Sequence, residues 1–96
     1  RNVLISCGGE GAFLVSETEQ VLFSNTPKGT LVNSVGAGDS MLAGFMARFI
    51  ETSDYRKSLK QGAASGSATA FSVGIATREL IEELIPQIEI TEISRQ

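Results

Sequence analysis

The run from Asn33 to Phe45 constrains the fold of this chain most, because a glycine-rich turn leads there directly into an amphipathic helix. The sequence turns polar near Thr52 to Asp54, and the helix is predicted to end there. Its apolar residues recur at helical spacing and form one broad face, made of Met41, Leu42, Phe45, Met46, Phe49 and Ile50. Such a helix must bury its apolar face against another layer of the fold.

Three short runs rich in β-branched and aromatic residues precede this helix and predict strands. They cover Val3 to Ser6, Phe13 to Ser16 and Gln20 to Ser24. The segment from Asn25 to Val35 has no periodicity and contains a proline and a glycine, so we expect a loop there.

Two further helices and a final strand are predicted beyond the first helix. The second helix covers about Tyr55 to Phe71, with Asp54 as its N-cap. The third runs from Arg78 to about Leu84, and Ile88 to Ile93 alternates apolar and polar residues like an edge strand. This order predicts an α/β fold class, with strands followed by two long helices, a short helix and an edge strand. Thr77 and Pro86 are the expected N-cap and end of the third helix.

The second helix contains two glycines, Gly62 and Gly66, in its predicted interior. Each costs about 1 kcal/mol relative to alanine in a helix, so a close approach should explain them. Tight packing against another helix is the interpretation that we favour. The alternative is a ligand that lies against the small face of the helix.

Charge and residue usage exclude several classes of function. The net charge is −3, with 8 Lys and Arg against 11 Asp and Glu, so no nucleic-acid partner is expected. A single cysteine, Cys7, and the absence of histidine exclude Cys/His zinc sites and histidine-based triads. No apolar run is long enough for a bilayer, and the lone thiol is compatible with a reducing cytoplasm. At 96 residues without a starting methionine, we expect one segment of a larger chain.

Gly36, Ala37, Gly38 and Asp39 stand where the first helix is predicted to begin. The first turn of a helix leaves N–H groups unpaired and carries about +0.5 of an elementary charge, so a phosphate site is predicted. A carboxylate there can accept a proton from an alcohol while the N–H groups hold the charge of a transferring phosphoryl group. The spacing suggests a kinase. The structural alternative for Asp39 is a carboxylate that stabilises the helix N-terminus by about 0.3–1 kcal/mol.

Neither common nucleotide motif is complete, since no Gly-Lys-Ser/Thr ending occurs and Met41 stands where a dinucleotide site needs its third glycine. Three segments nevertheless resemble the ribokinase, or PfkB, family of sugar kinases. Asn33 to Phe45 looks like its second signature, Ser6 to Gly11 resembles its nucleotide loop, and Gly62 to Ala68 resembles its helix beside adenine and ribose. The resemblance implies the C-terminal part of a ribokinase-like layered α/β fold.

The same resemblance implies a role for each matching residue. Asp39 is the expected base toward the sugar hydroxyl, and Gly36, Ala37 and Gly38 are the expected anion hole. The residues expected to contact the nucleotide are Ser6, Cys7, Gly8, Gly9, Glu10, Gly11, Gly38, Ala63 and Ser67. A monovalent cation near Asn33 and Val35 stays open, because dependence on such a cation varies among relatives.

Within the family, the signature is most similar to that of bacterial 1-phosphofructokinases, with tagatose-6-phosphate kinases close behind. The implied reaction moves the γ-phosphoryl group of ATP, bound with Mg²⁺, to the 6-hydroxyl of fructose 1-phosphate, a phosphorylated ketohexose. The remainder of a kinase chain is the implied partner, so the segment alone is expected to be inactive, and a homodimer is left open. A non-catalytic nucleotide-binding or assembly module and a purely structural fragment are the alternatives.

Overall fold

The computed structural model describes residues 3–6, 11–17, 20–29, 32, 36–72 and 76–93. These residues contain four strands, β1 (Val3–Ser6), β2 (Ala12–Val15), β3 (Val21–Ser24) and β4 (Ile90–Ile93). They also contain the helices α1 (Ala37–Thr52), α2 (Tyr55–Ala70) and α3 (Arg78–Leu84), the last followed by one 3₁₀ turn, Ile85–Gln87. Among the described segments, none of the helices has both the length and the hydropathy that crossing a bilayer would require.

The strands form an antiparallel sheet in the order β1-β2-β3-β4. Leu4 is paired with Leu14, and Leu14 with Leu22, so the three side chains lie on one face of the sheet. Leu14 and Leu22 are fully buried. The three predicted strands are confirmed to within one residue, and the predicted final strand is confirmed at the end of the described sheet.

The helices cover the face of the sheet that carries these leucines. Leu14 and Leu22 form one apolar cluster with Phe45 of α1 and Leu59 of α2. A second cluster joins α2 to α3 and the segment before β4, and it consists of Ala63, Ala64, Ala68, Leu84 and Ile88. The result is a layer of helices on a sheet, as the order of predicted elements indicated.

The predicted N-caps are confirmed. Asp54 Oδ1 accepts a hydrogen bond from the Lys57 N–H at 2.9 Å, and Thr77 Oγ1 accepts one from the Leu80 N–H at 3.2 Å. Each bond satisfies one of the N–H groups that a helix N-terminus leaves free. Between α1 and α2 the backbone turns through Ser53, whose φ of 54° is left-handed, within the predicted helix end.

The apolar face of α1 is divided in the structure. Phe45 is only 6% exposed, and Met41 and Phe49 pack against the same cluster. Leu42 and Met46 are about half exposed, at 48% and 52%, and Ile50 is 80% exposed. The sheet and α2 cover one stripe of the helix, and no other described element covers the rest of the predicted broad face.

Candidate active site

The first turn of α1 begins at a glycine with a left-handed backbone. Gly36 has φ 83°, and its carbonyl accepts the first helical hydrogen bond, from the Ser40 N–H at 2.9 Å. Helix geometry therefore leaves the N–H groups of Ala37, Gly38 and Asp39 without an acceptor inside the helix. No side chain among the described residues caps this end, in contrast to α2 and α3.

None of the residues that the structure describes fills the space next to this turn. Gly36, Gly38 and Asp39 are all exposed. A Cβ added at either glycine would meet no described heavy atom within 4 Å. The described residues therefore leave the backbone N–H groups accessible to an anion, and Asp39 lies at the surface, outside the apolar core. Both features fit the chemistry expected of the motif, and the assignment of these residues as a site stays a prediction.

Helix α2 packs directly against this turn through its glycines. A Cβ added at Gly66 would stand 3.1 Å from the Ala37 carbonyl oxygen and 3.2 Å from Met41 Cβ. One added at Gly62 would stand 2.7 Å from the Met41 carbonyl oxygen. The favoured interpretation of these glycines, tight helix packing, is therefore confirmed, and α2 fixes the position of the turn that carries Asp39.

The two predicted nucleotide contacts on α2 differ in their surroundings. Ala63 is only 4% exposed and belongs to the apolar cluster that joins α2 to α3. Ser67 is partly buried, and its carbonyl accepts a hydrogen bond from the Phe71 N–H at 2.9 Å. Both assignments stay predictions, and the small exposed area of Ala63 leaves it little surface for a ligand.

The predicted nucleotide loop is bounded by two described residues. The backbone of Ser6 ends β1 and is paired with that of Ala12 in β2. Gly11 is buried with φ 123°, and a Cβ there would overlap the Ser24 carbonyl oxygen, so only glycine fits. The intervening candidates Cys7, Gly8, Gly9 and Glu10, and the possible cation-binding pair Asn33 and Val35, lie outside the described residues.

One polar contact at this site was not predictable from the sequence. Thr69 Oγ1 in the last turn of α2 donates a hydrogen bond to Ser40 Oγ, directly after Asp39, at 2.8 Å. The two residues are 29 positions apart in the chain. Neither belongs to a local motif that would signal the pairing, since it arises only from the way in which α1 and α2 cross.

Two cavities of the described structure lie away from Asp39. One of about 370 Å³ lies between Leu4 of the sheet and the half-exposed Leu42 and Met46 of α1. Another, of about 240 Å³, is lined by residues that include Arg48 and Lys57. Asp39 lines neither of them.

Residues 1–82 match the family model described as pfkB family carbohydrate kinase. The chain is 45% identical over 92 residues to the 1-phosphofructokinase of Bacillus subtilis strain 168. The matched region covers 96% of this chain and 30% of that protein. It is 33% identical over 93 residues to the D-tagatose-1-phosphate kinase of Klebsiella oxytoca. This match covers 97% of this chain and 30% of that protein.

A solved structure gives the same result for the fold. A protein from Staphylococcus aureus, provisionally named a phosphofructokinase, superposes with a TM-score of 0.91 at 36% identity. The superposition covers 99% of this chain and 31% of that one. The expected ribokinase-like fold is therefore confirmed. The chain spans about 30% of the length of the relatives that it matches.

Proposed function

The chain belongs to the pfkB family of carbohydrate kinases, and on that premise we propose that it forms the nucleotide-binding and catalytic-base part of an ATP-dependent sugar-phosphate kinase. The observation that carries the proposal is the first turn of α1. There the exposed Asp39 follows Ala37 and Gly38, whose N–H groups no described side chain caps. A proton acceptor and an anion-binding backbone thus lie within a single helical turn.

In the proposed reaction, the oxygen of a sugar hydroxyl forms a bond to the γ-phosphorus of ATP. The bond from that phosphorus to the bridging oxygen breaks, and ADP leaves with the electron pair. The proton of the hydroxyl passes to the carboxylate of Asp39. The N–H groups of Ala37 and Gly38 hold the negative charge of the phosphoryl group during its transfer.

A carboxylate is a weak base, but this reaction makes a modest demand on it. The transition state of phosphoryl transfer is loose, so the proton of the attacking hydroxyl is needed late. Positioning and charge stabilisation supply most of the acceleration. Asp39 therefore acts as much by orienting the hydroxyl as by removing its proton.

The Mg²⁺ that the family uses is expected to enter with ATP and to offset the charge of its phosphates. Within the described ranges, no group of three or more His, Cys, Asp or Glu residues could hold a metal ion. Among those residues, Asp39 therefore belongs to no such group.

The proposed acceptor is the 6-hydroxyl of fructose 1-phosphate, because the chain is 45% identical to the Bacillus subtilis 1-phosphofructokinase and 33% identical to the Klebsiella oxytoca D-tagatose-1-phosphate kinase. Similarity to the Klebsiella oxytoca D-tagatose-1-phosphate kinase favours a tagatose phosphate as the second candidate. The sugar pocket would come from parts of the kinase outside these 96 residues. ADP formation with fructose 1-phosphate, tagatose 1-phosphate and tagatose 6-phosphate distinguishes the candidates.

The substitution Asp39→Asn in a full-length kinase chain carrying this segment tests the proposal. It keeps the size of the side chain and removes its basicity, so kcat should fall by about 10²–10⁴-fold while the KM for ATP changes little. The matched control is Glu51→Gln, at the exposed far end of the same helix, which should leave kcat unchanged. A non-catalytic module would have no turnover to lose, and full activity of Asp39→Asn would contradict the role of this residue.

A further inference from the structure

We propose that Thr69 is a positioning residue for phosphoryl transfer, which acts through Ser40 on the turn that carries Asp39. The inference rests on the proposed function, since it concerns the same turn. Thr69 lies in the last turn of α2 and donates its hydroxyl hydrogen to Ser40 Oγ at 2.8 Å. The contact is partly buried, which protects it from competition with water.

Ser40 occupies a decisive place in α1. Its N–H makes the first helical hydrogen bond, to the Gly36 carbonyl at 2.9 Å. The N–H groups of Ala37, Gly38 and Asp39, just before it, have no acceptor inside the helix and are the ones that would receive the anion. A restraint on Ser40 therefore acts at the boundary between the fixed helix and the turn that would bind the phosphoryl group.

The contact at Gly66 and the hydroxyl bond hold the turn in different ways. At Gly66 the helices touch so closely that a Cβ, if one were added, would lie only 3.1 Å from the Ala37 carbonyl oxygen. Such contact sets how near the helices come but resists sliding and rotation weakly, because dispersion has little directionality. A hydrogen bond weakens steeply with distance and angle. The bond from Thr69 therefore adds a directional restraint at this turn to the packing of Phe45 in the core, and it helps to set the direction of the N–H groups.

Thr69 is not expected to touch the nucleotide. Ser67, the predicted nucleotide contact, is two positions away on α2, and residues two apart project from different sides of a helix. Thr69 uses the side that faces α1. Loss of its hydroxyl should therefore affect the chemical step and leave nucleotide affinity almost unchanged.

The test is Thr69→Val in the full-length kinase chain, which removes the hydroxyl and keeps the branched shape. Small misplacements of a catalytic constellation can cost up to about 10²-fold, so we expect kcat to fall about tenfold, with little change in the KM for ATP. Thr69→Ser keeps the hydroxyl and should restore most of the rate. Ser40→Ala should cause a similar loss, and the double variant should lose little more than either single one.

The control is Thr52→Val at the other end of α1, where the hydroxyl donates to the Arg48 carbonyl at 2.8 Å. It makes the same chemical change far from the site, so it should lower thermal stability without lowering kcat. A second readout is inhibition by ADP with aluminium fluoride, which imitates the transferring phosphoryl group. Its inhibition constant should rise in Thr69→Val by the same factor as kcat falls, which a merely structural role would not produce.

Unchanged kcat in Thr69→Val and Ser40→Ala, or losses that multiply fully in the double variant, would overturn the inference and leave the proposed function intact. If Thr69→Val fails to fold, the Ser40→Ala variant decides the same question alone. Absence of sugar-dependent turnover in the unaltered full-length chain would overturn the proposed function, and this inference with it.

Discussion

Gly62 of α2 lies against the backbone of Met41 of α1, so closely that a Cβ on the glycine would stand 2.7 Å from the Met41 carbonyl oxygen. A backbone oxygen cannot rotate away as a side chain can. The substitution Gly62→Ala should therefore push the helices apart and destabilise a full-length chain by about 1–3 kcal/mol, although alanine is the better helix former by about 1 kcal/mol. Urea unfolding followed by circular dichroism measures this difference.

If the urea midpoint of Gly62→Ala equals or exceeds that of the unaltered chain, the two helices lie further apart than described. The matched comparison is Gly38→Ala, where the added Cβ meets no described atom within 4 Å. That variant should unfold at nearly the same urea concentration as the unaltered chain. The same substitution is thus expected to destabilise the chain at Gly62 and to have little effect on its stability at Gly38.

The link between Asp54 and Lys57 leads to a second prediction. Asp54 Oδ1 accepts the Lys57 N–H at 2.9 Å and caps α2, the helix that positions the candidate site. Asp54→Ala should lower the free energy of unfolding by about 0.5–2 kcal/mol, as measured by urea unfolding. Asp54→Asn keeps an oxygen acceptor and should lose much less. Equal losses in the two variants would indicate that the negative charge of Asp54 stabilises the helix more than its hydrogen bond does.

The local elements of this fold could be predicted because their signals lie within a few residues. Asp54 and Thr77 indicate helix N-termini because their side-chain oxygens can accept a backbone N–H. Both residues cap their helices as predicted. The strands follow from short β-branched runs bounded by turn residues. The glycine pair of α2 indicated close packing, although the sequence did not identify α1 as the neighbour.

Features that depend on distant parts of the chain could not be predicted. The bond between Ser40 and Thr69 requires the crossing of two helices, which no local pattern specifies. The division of the apolar face of α1 depends on which stripe the sheet and α2 cover. Helical periodicity gives the width of such a face and says nothing of its neighbours. Ile50 therefore belongs to the predicted apolar face and is nevertheless 80% exposed.

A Cβ on Gly38 would meet no described atom within 4 Å, and this leads to the last prediction, which concerns catalysis and not stability. An anion held by the N–H groups of Ala37 and Gly38 must come close to the backbone, and a methyl group on Gly38 would occupy part of that space. Loss of one donor of an anion hole costs about 10²–10³-fold in rate. A methyl group on Gly38 keeps the N–H donor and only crowds the anion, so its effect should be smaller. We therefore expect Gly38→Ala to lower kcat about tenfold or more. Steady-state ADP formation by the full-length chain, measured beside its urea unfolding, tests this. No described atom lies where the methyl group would stand, so the bound phosphoryl group is the expected source of any conflict. Full turnover in a stably folded Gly38→Ala chain would therefore mean that the phosphoryl group binds elsewhere.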